Sequence, residues 1–134
     1  MSVRRIVPNI RTNTGPGVES DANATTNAAV AAAMKRNAEF YGLLGLQEVM
    51  NHGWIMTLAS PSHPSAQISI MEADATAPVT PDMSMEVEDV DAAYTAMQAG
   101  GAEIVYPLHD EEWGVRRFFV RDPNGRVINV LGHR

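Results

Sequence analysis

Hydrophobic and polar positions alternate between two periods along this chain. Residues 3–10 (VRRIVPNI) form a short apolar run with β-branched members and read as a strand. Val30, Met34, Ala38 and Phe40 or Tyr41 recur at helical spacing in an alanine-rich stretch, and Gly42 and Gly45 suit its end. Three strand-like runs follow: LQEVMN, GWIMTLAS and AQISIMEA, with His52-Gly53 as a turn and PSHPS as a loop. Residues 74–81 (DATAPVTP) hold two prolines and read as a linker. The order then starts again. MSMEVED is a strand, VDAAYTAMQAGG a helix, and AEIVYPL, GVRRFFVR and RVINVLG are three more strands, with Asp122-Pro123-Asn124-Gly125 as the turn before the last.

The pattern therefore predicts an α+β fold of two βαβββ modules. One spans residues 1–73, with 11–27 as a flexible loop insertion, and the other spans 82–134 across the 74–81 linker. Each is too small to cover its own sheet, so the two pair in one domain as a curved mixed sheet around a cleft, helices on the outer face. The loop reading rests on composition, because RTNTGPGVESDANATTN has almost no large apolar group.

Composition narrows the function. The chain has 134 residues, no cysteine, and 10 Lys+Arg against 16 Asp+Glu, a net charge of −6. An acidic surface disfavours a nucleic-acid partner. No apolar run approaches the roughly 20 residues of a membrane span, so no membrane partner is expected. The first residues lack the long apolar core of a secretory signal, and the expected location is cytoplasmic. Disulfides, thiolate metal sites and a catalytic thiol are excluded. No nucleophile beside a base, phosphate loop or dinucleotide fingerprint is present.

Several motifs resemble one known family. FYGLLGLQEVMNHGW resembles the FY-x-x-LLG helix end and following strand of the vicinal oxygen chelate superfamily. That superfamily includes glyoxalase I, bleomycin-resistance and fosfomycin-resistance proteins and extradiol dioxygenases. MEVEDVDAAYTAMQAGGAEI and WGVRRFFVRDPNGRVINVL resemble its second strand–helix pair and closing hairpin. The resemblance implies a homodimer with small-molecule sites. It also implies metal-ligand positions, which fall here on Val7, on Ser69 or Glu72, on Asp82 and on Asn129. Val7 cannot coordinate and an amide is a poor ligand, so no metal cofactor is expected. Glu72 and Asp82 are the residues for any divalent ion.

Trp54 and Trp113 open corresponding strands, and each either packs on its own helix or stacks on a planar or cationic ligand. In GVRRFFVR, alternation puts Arg116, Phe118 and Val120 on one face and Arg117, Phe119 and Arg121 on the other, so one arginine turns inward. It meets an internal carboxylate (Glu72, Glu86 or Asp82) or clamps a substrate carboxylate beside Asn129. His52, His63, His109 and His133 read as surface residues. The expected ligand-binding set is Trp54, Trp113, Arg116, Arg117, Phe119, Asn129 and Asp82. The expected function is metal-free binding of a small aromatic or cationic molecule in the cleft, similar to bleomycin-resistance proteins. The alternatives are a metal-dependent lyase, isomerase or dioxygenase with an atypical ligand set, and a dimerising module without a ligand.

Overall fold

The computed structural model describes residues 2–12, 27–74 and 76–134. Most of the loop expected over 11–27 lies outside them. In chain order the elements are β1 (Val3–Arg11), α1 (Asn27–Gly42), β2 (Gln47–Asn51), β3 (Ile55–Ala59), β4 (Gln67–Met71), β5 (Met83–Val87), α2 (Val90–Ala99), β6 (Glu103–Asp110), β7 (Val115–Arg121) and β8 (Val127–His133). This is the α+β, twice-repeated βαβββ order that the pattern predicts. No described helix is long and apolar enough to cross a membrane.

Contacts group the chain into a C-terminal unit, Met1–Pro8 with Asp74–Arg134, and an N-terminal unit, Asn9–Ala73. In the C-terminal unit the strand order is β1-β5-β8-β7-β6. Only β5/β8 is parallel there, as the intervening helix requires. The core forms where α2 lies on this sheet: Val90 and Ala93 pack with Val87, Phe118, Val120, Ile128 and Val130. Asp89 starts α2 by accepting the Ala92 N–H at 3.0 Å. The turn before β8 is held by Asp122, which accepts the N–H groups of Asn124 and Arg126, each at 2.8 Å. Those bonds hold its carboxyl below the usual aspartate value.

Because side chains alternate, the opposite sheet face carries Arg5 and Val7 of β1, Ser84 and Glu86 of β5, Asn129 and Leu131 of β8, and Arg117 and Phe119 of β7. Two of the residues matched to metal-ligand positions, Val7 and Asn129, thus share this face. Strand β6 runs further than AEIVYPL, through His109 and Asp110, which pair with Arg117 and Arg116. Pro107 is tolerated inside it because β6 is an edge strand.

In the N-terminal unit the order is β2-β3-β4-β1, with β1/β4 parallel. Met34 of α1 packs on Met56, Leu58 and Ile70, flanked by Val30, Ala38 and Tyr41, the stripe that the helical spacing predicts.

Phe118 is fully buried under α2. Phe118→Ala is expected to lower stability by about 3–5 kcal/mol and Asp89→Ala by about 1 kcal/mol, both read from urea unfolding midpoints.

Candidate functional site

Arg117 is the inward arginine. It is 4% exposed, and β7 carries it onto the sheet face opposite α2. Its Nη1 donates to Asp74 Oδ2 at 3.1 Å and its Nη2 to Thr76 Oγ1 at 3.0 Å, while Nε lies 3.5 Å from Glu111 Oε1. Thr76 passes the bond on, donating through Oγ1 to Asp74 Oδ1 at 2.5 Å. Rings enclose the guanidinium: its Cζ lies 5.0 Å from the centroid of Phe119, 5.2 Å from Trp113 and 5.7 Å from Tyr106. One cation is thereby held between two buried carboxylates and three π faces.

Glu111 joins this group to β6. It accepts from Tyr106 Oη at 3.4 Å and contacts His109 Nε2, while His109 Nδ1 faces the Pro107 carbonyl at 2.6 Å. Tyr106 Oη also donates to the Thr76 carbonyl at 3.1 Å. Burial, then the charge of Glu111, push the Tyr106 hydroxyl above the ordinary tyrosine value of 10.0.

The structure brings together Trp113, Arg117 and Phe119 from the expected set, with Asn129 beside Phe119 in register. Asn129 is 8% exposed; its Nδ2 donates to Ser84 Oγ at 3.1 Å, and its Oδ1 has no partner among the described residues. Turning the amide over would only exchange which polar atom is left over.

Arg116 points to the α2 side, to Asp91 at 2.9 Å and Asp110 at 3.1 Å. Its hydrogen bond holds the Asp91 carboxyl below its usual range. Asp82 caps the β5/β8 ladder, where its Oδ2 accepts the Val127 N–H at 2.9 Å.

The expected carboxylate partners of the inward arginine are corrected. Glu86 pairs with Arg5 Nε at 3.1 Å, Asp82 holds Val127, and Glu72 lies in the N-terminal unit. The actual partners are Asp74 and Glu111. Asp74, at the start of the expected linker, is buried, because its carboxylate is held by Arg117 and Thr76. His109 is likewise no isolated surface histidine. The acidic run 110–112 ahead of two arginines was a signal for Glu111; nothing local marks Asp74.

Trp54 lies in the N-terminal unit, at a cavity of about 790 Å³ against α1. Val30, Ala31, Met34, Ala38 and Met56 line its apolar part, and Lys35, Glu48, Asn51, His52 and Glu72 supply the polar groups. The turn before Trp54 is set by His52 N–H to the Ile55 carbonyl at 2.9 Å and by Gly53, whose φ of +86° suits glycine. The Glu72 N–H donates to the Trp54 carbonyl at 2.8 Å, fixing the indole's backbone to the end of β4.

Most of the positions matched to metal ligands are occupied by other interactions. Val7 has no donor atom, Ser69 Oγ is hydrogen-bonded to Thr57 Oγ1 at 2.9 Å, Glu72 accepts from Thr12, and Asp82 is committed to the backbone. Among the described residues no three His, Cys, Asp or Glu side chains come together as a ligand group.

Arg117→Leu strands two buried carboxylates and is expected to lower stability by about 3–5 kcal/mol in urea unfolding. Tyr106 is raised in the folded state, so its contribution is complete below about pH 10 and declines as pH rises through its folded value. Ultraviolet titration should show one late-ionising tyrosine that disappears in Tyr106→Phe.

No curated protein matches the sequence. Among solved structures, a glyoxalase/bleomycin resistance protein/dioxygenase superfamily member from Vibrio splendidus 12B01 is similar at 14% identity and TM-score 0.61, covering 98% of this chain and 99% of its own. Methylmalonyl-CoA epimerase from Mycobacterium tuberculosis is similar at 18% identity and TM-score 0.58, covering 98% and 87%. A hypothetical protein from Bacillus halodurans C-125 reaches TM-score 0.64 at 10% identity, covering 100% and 96%. These likenesses show the fold. The model of the Glyoxalase/Bleomycin resistance protein/Dioxygenase superfamily matches residues 27–130, and the chain belongs to that superfamily.

Proposed function

We propose that this protein binds a small aromatic or cationic molecule without a metal, in the manner of the superfamily's drug-sequestering members. The observation that carries the reading is how the polar face of the C-terminal unit is occupied. The two buried carboxylates, Asp74 and Glu111, are held by Arg117, the half-buried Glu86 by Arg5 and the exposed Asp82 by a backbone N–H, whereas the buried Asn129 amide keeps one polar atom over. An amide that both donates and accepts suits an organic ligand better than a cation of zinc or nickel type. Trp113 supplies the stacking surface: the residue is 53% exposed, and its ring lies over the Arg117 guanidinium. Phe119 and Tyr106 back the same guanidinium.

The protein on this reading is cytoplasmic and homodimeric. Exposed Phe40, Leu43, Leu44 and Val49 in the N-terminal unit are apolar surface of the kind that a second copy covers.

A panel of aromatic amines and quaternary ammonium compounds is to be titrated against tryptophan fluorescence. Saturable binding should survive EDTA, and Trp113→Ala should weaken it by about 1 kcal/mol, roughly fivefold. Binding that vanishes with EDTA and returns with a stoichiometric divalent ion would replace this reading by a metal-dependent one.

A further inference from the structure

The cavity against α1 lies wholly in the N-terminal unit, away from the Trp113–Arg117 group in sequence and in unit. Its existence follows from the composition of the helix. The stretch AAVAAAMKRNA offers the sheet only Val30 and Met34 as large apolar groups, and alanines 31 and 38 are too short to fill the space beside them. At about 790 Å³ the space is within the ~300–1,000 Å³ of sites that enclose drug-sized molecules.

Its walls are chemically divided. Met34, Met56 and Val30 form an apolar floor, and Trp54, 36% exposed, offers an indole ring. Glu48 and Glu72 bring two carboxylates to the lining against the single ammonium of Lys35. Asn51 Nδ2 donates to Glu48 Oε1 at 3.1 Å, which places that carboxylate on the β2 side, while Glu72 stands next to Trp54 through its backbone bond. An indole ring, an apolar floor and a net negative lining select for a positively charged organic body. The overall charge of −6 favours the approach of the same class of ligand.

We propose that this cavity is a second binding site, one that takes an apolar organic cation, with Trp54 against its body and Glu48 and Glu72 as its counter-charges. The proposal is independent of the site on the C-terminal unit.

Tetraphenylphosphonium and tetraphenylborate have closely similar shape and opposite charge, and they test it without any change to the cavity. In Trp113→Phe protein, Trp54 is the only indole, so its fluorescence reports this site. Saturable quenching by tetraphenylphosphonium, at least tenfold tighter than by tetraphenylborate, is expected. Glu48→Gln should then reduce the cation's affinity severalfold while leaving far-UV circular dichroism unchanged, and added salt should weaken binding. Equal affinity for the two ions, preference for the anion, or no response from Trp54 would overturn the proposal. Binding seen only when Trp113 is present would also overturn it, while leaving the proposed function standing.

Discussion

A guanidinium out of water has to be neutralised, and much of the C-terminal unit is arranged around that requirement at Arg117. Two carboxylates converge on it, Asp74 from 43 residues away and Glu111 from the turn just before β7, and Thr76 accepts from Nη2. The three aromatic rings around it exclude water and add favourable quadrupole contacts. Such a network adds less net stability than its Coulomb terms suggest, because desolvation opposes them. What it does supply is position. Trp113, on an otherwise exposed turn, is seated by the charge beneath it, and Tyr106 is fixed between Thr76 and Glu111.

The same constraint separates two adjacent arginines into different roles. Arg117 is buried and closes the ion network, whereas Arg116, one residue earlier, bridges Asp91 of α2 to Asp110 of β6 at the surface. An exposed pair of that kind is screened by solvent and adds little. Asn129 completes the contrast on the inward face. It is buried next to Phe119 in register and donates its amide N–H to Ser84 Oγ rather than joining the ion network.

Much of the architecture was legible beforehand. The helical stripe Val30–Met34–Ala38–Tyr41, the DPNG turn and the alternation in VRRFFVR each depend on residues close in sequence, and each stands as the pattern predicts. The candidate site was half legible. Trp113, Arg117 and Phe119 share one strand and its approach, so their meeting follows from local geometry. The identity of the counter-ions did not, since Asp74 is 43 residues from Arg117 and sits in a proline-containing stretch that reads as a linker.

By itself the sequence determined the order of elements, that Arg116 and Arg117 face opposite ways so that one of them turns inward, and the absence of thiol chemistry. These follow from periodicity and composition, which act over a few residues. The tertiary structure alone decided that Arg117 is the inward arginine and Asp74 one of its partners, that Asp82 and Glu72 lie in different units, and that α1 leaves a cavity beside Trp54. Those outcomes depend on how segments far apart in the chain meet, and on the space their side chains leave unfilled. Neither distance nor volume is written in a one-dimensional pattern.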